Sequence, residues 1–148
     1  VSTERKITAE AEKVKESTTV AMDFGRITVD NELVLYLFGT PGQKRFDFMW
    51  EILSEGMLGF IVMIDSTRPE TFREARTILE TFRAYAPTPY VVAANKQDKS
   101  DAWDVDDMRI ALRLDNEIPL LATVARDKES VKSVLIHLLT DILNEIAS

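Results

Sequence analysis

Strand-like patterns of apolar residues follow a polar opening stretch of the chain. Residues 1–17 are mostly polar and charged, with only a weak helical spacing of apolar residues. Apolar and polar residues then alternate over 20–29, and the apolar segment Leu33–Phe38 follows after Asp30 and Asn31. Asparagine and aspartate are typical turn residues. Two strand-like segments on either side of a short turn predict a β-hairpin.

Three further apolar runs predict strands of a second kind. Two of them, 58–64 and 90–94, are continuous and consist mainly of branched or small residues. Such runs are typical of strands buried on both faces of a parallel sheet that helices cover. A short last strand is predicted at 118–122. Each run ends in polar residues, and open α/β sheets bind their ligands at that carboxyl end of the strands.

Segments with apolar residues at helical spacing lie between the predicted strands. One helix is predicted over 44–56, and Pro69 suits the first position of a second helix. The apolar stripe of that second helix consists of Phe72, Ala75, Leu79 and Phe82. The residue Asp104 can cap a third helix that ends near Leu114. Capping and solvent exposure also explain its acidic neighbours Asp101, Asp106 and Asp107 better than a cation site does.

A closing amphipathic helix completes the alternation of strands and helices. Its apolar residues are Val131, Leu135, Leu138, Ile142 and Ile146. Alternating strands and helices predict an α/β fold with helices on both faces of the sheet. We therefore expect a three-layer sandwich whose sheet is mostly parallel, with one antiparallel hairpin at its edge.

The composition fits a single globular domain over 1–148. Of the 148 residues, 45% are hydrophobic, which is enough for one core. The formal charge of −7 argues against nucleic acid or an anionic membrane surface as the main partner. With no cysteine and with His137 as the only histidine, thiolate and multi-histidine metal centres are excluded. No apolar run reaches the ~20 residues that span a bilayer, and we expect a cytoplasmic protein.

The polar tetrapeptide after the run 90–94 has the chemistry of a guanine-binding loop. The carboxylate of Asp98 offers two acceptor oxygens, which match the N1–H and 2-amino donors of guanine but not the edge of adenine. The Asn95 amide can tie neighbouring loops together, and the stem of Lys96 can lie along a flat base. Four residues are weak evidence by themselves, because an Asn-Lys-Gln-Asp sequence is more often a simple polar turn.

The order of the polar loops closely resembles that of the Ras-like GTPases. The residues Asn95, Lys96 and Asp98 match the guanine-specificity motif N-K-x-D of that family. Thr40-Pro41-Gly42-Gln43 is similar to its second switch, and Thr19 to its first-switch threonine. Val124-Ala125-Arg126 stands where the family has S-A-K. In its details the chain looks more similar to the bacterial and archaeal gliding-motility type than to eukaryotic Ras.

The resemblance implies a GTP-binding switch that hydrolyses GTP to GDP and phosphate, with Mg²⁺ as cofactor. It implies that Thr19 ligates the metal, that the Gly42 N–H meets the γ-phosphate, and that Gln43 orients the attacking water. It also implies that the Ala125 N–H, next to Arg126, contacts the guanine oxygen. Intrinsic rates in this class are slow, so an activating protein or effector is expected. The aromatic residues Phe46, Phe48 and Trp50 are candidates for that contact, or else for the domain's own core.

Two departures from the family pattern favour a rival reading. The first is Gly39, which stands where an aspartate usually holds a Mg²⁺-bound water, and the second concerns the phosphate-binding loop. Pro41, close to Gly39, should also stiffen the second switch. The 148 residues contain no G-x-x-x-x-G-K-[ST] and no strand before it, so we expect roughly 20–30 further residues upstream of Val1. The rival is a pseudo-GTPase that acts only as a protein-binding module or scaffold.

Overall fold

The structure is a computed structural model that describes residues 24–29, 33–38 and 56–148. Its strands are β1 (Phe24–Val29), β2 (Leu33–Phe38), β3 (Phe60–Asp65), β4 (Tyr90–Asn95) and β5 (Leu120–Ala122). Its helices are α1 (Phe72–Tyr85), which follows a 3₁₀ turn at Pro69–Thr71, α2 (Val105–Ala111) and α3 (Lys128–Ala147). The chain forms two compact units, Val1–Ile52 and Leu53–Ser148. A single domain over 1–148 stays a prediction.

The first unit contains the predicted hairpin. Strands β1 and β2 pair antiparallel, with Phe24 opposite Phe38 at one end and Val29 opposite Leu33 at the other. This register leaves only three residues between the strands, as the turn at Asp30 and Asn31 predicts. The hairpin is confirmed. The predicted start of its first strand, at residue 20, lies outside the described residues.

The second unit contains a parallel sheet in the order β3-β4-β5. Ile61 lies opposite Val91, and Ala93 lies opposite Leu121. The strands β3 and β5 each begin two residues later than predicted. For β5 the cause is Pro119, which has no N–H for the ladder. Its carbonyl still accepts a hydrogen bond from the Val92 N–H at 2.9 Å.

Helices cover both faces of β4, which is the middle strand of this sheet. Residues Val91, Val92, Ala93 and Ala94 have no exposed surface. On one face, Val91 and Ala93 pack in a cluster with Val134, Leu138 and Ile142 of α3. On the other face, Phe60 stacks on Tyr90 at 4.9 Å between ring centroids and contacts Phe82 of α1 at 5.2 Å. The predicted α/β fold, with helices on both faces of a parallel sheet, is confirmed and is consistent with a G domain.

Close approach of α3 explains why a glycine precedes β3. A Cβ added at Gly59 would lie 2.9 Å from the Ile142 side chain and 2.9 Å from the Pro89 carbonyl oxygen. Real Cβ atoms essentially never come that close, so a larger residue would require the Pro89 backbone and the end of the Ile142 side chain to move. Leu58, predicted to begin the strand, is instead 58% exposed.

The predicted apolar stripes agree with the structure for α1 and in part for α3. All four predicted residues of α1 are buried, namely Phe72, Ala75, Leu79 and Phe82. In α3 the buried residues are Val134, Leu138 and Ile142, whereas Ile146 is 69% exposed. The assignment of Ile146 to the buried stripe is wrong. A 20-residue helix is about 30 Å long and a six-residue strand about 20 Å, so the last turn extends beyond the sheet.

Over the described residues, no helix combines the length and the apolar character that crossing a membrane requires.

Candidate functional site

The polar loops of the second unit meet at the carboxyl ends of its three parallel strands. Three backbone hydrogen bonds continue the sheet beyond its ladders. The Ser66 N–H donates to the Asn95 carbonyl at 3.1 Å, and the Thr123 N–H donates to the Ala94 carbonyl at 2.9 Å. The Gln97 N–H donates to the Thr123 carbonyl at 3.2 Å. The loops after β3, β4 and β5 are thereby fixed to one another at the edge where α/β sheets bind ligands.

The Asn95 side chain joins two of these loops, as its amide predicts. Its Oδ1 atom accepts a hydrogen bond from the backbone N–H of Ala125 at 2.9 Å. The same N–H is the donor that the resemblance assigns to the guanine oxygen. In this structure it is engaged within the protein, so a base oxygen at that place would have to share or displace the Asn95 contact. The predicted Ala125 contact with guanine stays a prediction.

Lys96 adopts a backbone conformation that lysine rarely takes. Its φ angle is 63°, in the left-handed region. This conformation costs an L-residue about 1–2 kcal/mol compared with glycine. The Lys96 Nζ lies 2.9 Å from Oδ2 of Asp65, at the end of the neighbouring strand β3. The ion pair therefore fixes a strained loop residue to the sheet.

The Asp65 carboxylate is held by further donors. Its Oδ1 accepts hydrogen bonds from the Thr67 N–H at 2.9 Å and from the Thr67 Oγ1 at 2.7 Å. Burial acts to raise the pKa of Asp65. The hydrogen bonds from Thr67 and Lys96, together with the Lys96 charge, outweigh that effect and lower the pKa from 3.8 to about 2. The group is thus ionised throughout the physiological pH range.

The lowered pKa of Asp65 predicts a pH-dependent contribution to stability. Because the folded-state pKa lies near 2 and the unfolded value near 3.8, the ionised Asp65 stabilises the fold fully above pH 3.8. That contribution is lost as the pH falls through about 2. Denaturant unfolding of the wild-type protein and of Asp65→Asn should therefore give a free-energy difference that shrinks between these pH values. A difference that is constant with pH would contradict this account.

The Gln97 side chain fixes the same loop at a second point. Its Nε2 donates to the Ser66 Oγ at 2.7 Å and to the Trp103 carbonyl at 3.0 Å. The Ser66 side chain is fully buried, and its own carbonyl accepts the Trp103 N–H at 2.9 Å. Trp103 in turn packs edge-on against Phe72, with ring centroids 5.2 Å apart. Gln97 thus connects the loop after β4 to β3 and to the segment before α2.

The predicted base-reading carboxylate lies at the outer side of the site. The Asp98 side chain is 38% exposed and has Arg126 Nη2 at 3.4 Å from its Oδ2. The Arg126 side chain is 78% exposed. Such solvent-exposed ion pairs contribute little to stability. The structure therefore brings two predicted site residues together through a contact that a ligand can displace easily.

The sequence did not single out three residues whose side chains contact the loop after β4 or belong to it, namely Asp65, Ser66 and Gln97. The signal that could have found two of them is the polar sequence Asp65-Ser66-Thr67 at the end of a buried parallel strand. Gln97 occupies the variable position of the N-K-x-D pattern, where no side-chain role is expected. Its partner Ser66 lies 31 residues away in the chain, so spacing alone could not pair the two.

The remaining predicted site residues lie outside the described residues. They are Thr19, Gly39, Gly42 and Gln43 of the switches and the aromatic residues Phe46, Phe48 and Trp50. Their roles stay predictions. Within 24–29, 33–38 and 56–148, no three histidine, cysteine or acidic side chains gather as a metal site would require. Asp104 caps α2, as predicted, by accepting the Asp106 N–H at 3.3 Å.

Comparison with known proteins reveals a family match and several relatives. The family described as "Conserved hypothetical ATP binding protein" matches residues 2–145. An uncharacterized protein of Methanocaldococcus jannaschii is 35% identical over 83 residues, which cover 56% of this chain and 52% of that protein. The Ras-related protein SEC4 of Saccharomyces cerevisiae is 27% identical over 136 residues, covering 88% of this chain and 63% of that protein.

The relatives also include ADP-ribosylation factor-like protein 3 of Saccharomyces cerevisiae. It is 29% identical over 94 residues, which cover 62% of this chain and 48% of that protein. The chain spans between about half and two thirds of the length of these curated relatives. The Ras-related and ADP-ribosylation-factor-related proteins among these relatives share 27–29% identity with the chain and support its likeness to the Ras-like GTPase superfamily. Since the family match extends over nearly all of its residues, the chain belongs to the family of conserved hypothetical ATP binding proteins.

Proposed function

We propose that this protein is a guanine-nucleotide-binding switch that hydrolyses GTP to GDP and phosphate. The observation that carries the proposal is the arrangement at the carboxyl edge of the β3-β4-β5 sheet. There the Asn95 Oδ1 accepts a hydrogen bond from the Ala125 N–H at 2.9 Å. Asp98 presents a partly exposed carboxylate next to Arg126 of the same loop. The small-GTPase relatives and the matched nucleotide-binding family support nucleotide binding in general.

The proposed base is guanine, although the matched family is described as ATP binding. A carboxylate has acceptors but no donor. Guanine offers two adjacent donors on its edge, N1–H and the 2-amino group, and both can bond to Asp98. Adenine offers an acceptor at N1 and no 2-amino group, so its N1 lone pair would face the charge of Asp98. The chemistry of this residue therefore favours GTP over ATP.

The proposed chemistry at the phosphate end rests on residues known from the sequence alone. Thr19 would hold Mg²⁺ together with the nucleotide phosphates, and the metal would neutralise part of their charge. The described residues supply no metal-binding cluster of their own, so the proposal depends on Thr19 and on the nucleotide. Gln43 orients the water that attacks the γ-phosphate, and the Gly42 N–H binds a γ-phosphate oxygen.

A second candidate is a pseudo-GTPase that binds partner proteins without turnover. Gly39, which stands in place of the metal-associated aspartate, is the observation that favours it. Turnover distinguishes the two candidates. The natural full-length protein should release phosphate from GTP, slowly by itself and faster with an activating partner, and should leave ATP intact. If saturating GTP is bound but never cleaved under either condition, the pseudo-GTPase is the correct assignment.

The subgroup of Ras-like GTPases to which the protein is most similar, and the surface that binds its partner, are also proposals. In the details of its sequence the chain looks closer to the bacterial and archaeal gliding-motility type of Ras-like GTPases than to eukaryotic Ras. The aromatic residues Phe46, Phe48 and Trp50 follow the second switch directly. We propose that they contact an activating protein or effector, because exposed aromatic clusters often mark protein interfaces. A cytoplasmic location fits such a switch.

Replacing Lys96 by glycine should weaken nucleotide binding while leaving the stability of the protein almost unchanged. Lys96→Gly removes about 1 kcal/mol of backbone strain together with a half-exposed ion pair, so the free energy of unfolding should change little. GDP affinity should nevertheless fall about tenfold, which is roughly 1.4 kcal/mol, because the stem along the base is lost. Denaturant unfolding and GDP calorimetry on the same preparations measure both quantities.

Arg113 provides a matched control for that substitution. Its backbone is also left-handed, with φ of 54°. It lies just after α2, however, and outside the tetrapeptide 95–98, which we call the base-reading loop. Arg113→Gly should stabilise the protein by about 1 kcal/mol and leave GDP affinity unchanged. Equal GDP affinity in Lys96→Gly and Arg113→Gly would show that Lys96 does not contact the nucleotide.

A further inference from the structure

Four charged side chains lie in or beside the base-reading loop. They form two ion pairs that differ in length and exposure. Lys96 Nζ lies 2.9 Å from Asp65, and Arg126 Nη2 lies 3.4 Å from Asp98. The Asp65 side chain is 24% exposed, whereas that of Arg126 is 78% exposed. The first pair is therefore short and partly shielded, and the second is long and open to water.

Lys96 and Asp98 lie two residues apart in one tight turn after β4. The Lys99 N–H donates to the Lys96 carbonyl at 3.1 Å, and Asp98 lies inside that turn. A lysine side chain is long and flexible, and its ammonium group has three donors. A free Lys96 ammonium could therefore turn toward Asp98 and occupy the acceptor oxygens that guanine needs.

The Asp65 carboxylate that pairs with Lys96 is itself anchored within the protein. Its carboxylate is fixed by two hydrogen bonds from Thr67, and the next residue, Ser66, is anchored to the base-reading loop. Ser66 receives the Gln97 Nε2 at 2.7 Å and donates its own N–H to the Asn95 carbonyl at 3.1 Å. The negative charge that holds Lys96 is thus part of the sheet and does not depend on a ligand.

The second pair has the opposite property. Arg126 is exposed, and its 3.4 Å contact with Asp98 is weak. Donors from a bound base can replace it at small cost, because the guanidinium then returns to water. A Lys96 ammonium paired with Asp98 would be harder for a base to displace, since it would no longer have Asp65 as a partner to return to.

We propose that Asp65 is a positioning residue for nucleotide selection, which holds the Lys96 ammonium away from Asp98 so that the Asp98 carboxylate stays free for guanine. The inference rests on the proposed function and deepens it. It assigns the role to the last residue of β3, through a contact that the N-K-x-D sequence does not contain.

A double-substitution cycle in the natural full-length protein tests the proposal. GDP affinity is measured by calorimetry for the wild type, Asp65→Asn, Lys96→Met and the double variant. Methionine keeps the apolar stem of lysine but not its charge, and asparagine keeps an oxygen for the Thr67 donors. We expect Asp65→Asn to weaken GDP binding about tenfold in the wild-type background and less than about twofold in the Lys96→Met background.

Salt provides a readout that a purely structural role of Asp65 would not change. A free Lys96 competes with the base through charge, so the deficit of Asp65→Asn should shrink as ionic strength rises from about 0.05 to 0.5 M. Equal losses in both backgrounds, or wild-type affinity in Asp65→Asn, would overturn the inference while leaving the proposed function intact. A wild-type protein that binds GDP no better than ADP would overturn both.

Discussion

Replacing Asp98 by asparagine should lower the affinity for GDP by tens- to hundreds-fold and raise the affinity for xanthosine diphosphate. Asparagine presents one acceptor and one donor where guanine requires two acceptors. The loss of a charge-assisted pair of hydrogen bonds costs about 2–3 kcal/mol. Xanthine carries a carbonyl in place of the 2-amino group, and that carbonyl can accept from the new amide. Calorimetry with both nucleotides measures the exchange of specificity.

Two control variants separate base reading from simple loss of charge. Asp101→Asn removes an exposed carboxylate three residues further on, outside the predicted base-reading motif, and should leave both affinities unchanged. Arg126→Ala removes the present partner of Asp98 without touching its carboxylate. If Asp98→Asn binds GDP as tightly as the wild type, or if Asp101→Asn shows the same loss, the assignment of Asp98 is wrong.

Replacing Gln43 by leucine should abolish stimulated GTP hydrolysis while GTP binding stays within a few-fold of wild type. The proposed task of Gln43 is to orient the attacking water, and leucine has no polar atom for that task. Stimulation in this class of reaction reaches about 10⁵-fold, so the expected loss is large. Single-turnover phosphate release with the activating partner present measures it. The GTP affinity of the same variant serves as the internal control.

A Gln43→Leu protein that hydrolyses GTP at the wild-type rate would contradict the proposed role. If neither the wild type nor the variant hydrolysed GTP, the pseudo-GTPase would be favoured. Turnover in the wild type with no effect of the substitution would instead assign the water-orienting role to another residue.

Much of the fold could be predicted from the sequence because local spacing reports directly on burial. Apolar residues at helical spacing identify α1, and all of its predicted core residues are buried. The continuous run over β4 predicts a strand covered on both faces, and Val91 to Ala94 have no exposed surface. Element ends were less predictable, because they depend on particular contacts such as the close approach of Ile142 to Gly59.

For the site, too, features that depend on local sequence could be predicted, and contacts between distant parts of the chain could not. The position of Asn95, Lys96 and Asp98 at the end of a buried strand could be predicted from the pattern of apolar residues, whereas their contacts with a base stay predictions. The ion pair between Lys96 and Asp65 could not, because it joins two strands that meet only in the folded sheet. The left-handed conformation of Lys96 was equally hidden, since lysine gives no sign of a positive φ in sequence.

The choice of base tests the account most directly, since the chemistry of Asp98 and the description of the matched family disagree about it. The decisive measurement is calorimetric titration of the natural full-length protein with GDP and with ADP, each in the presence of Mg²⁺. If Asp98 reads guanine, GDP should bind at least about a hundredfold more tightly than ADP, a difference of roughly 2.7 kcal/mol. Equal affinities, or a preference for ADP, would contradict it.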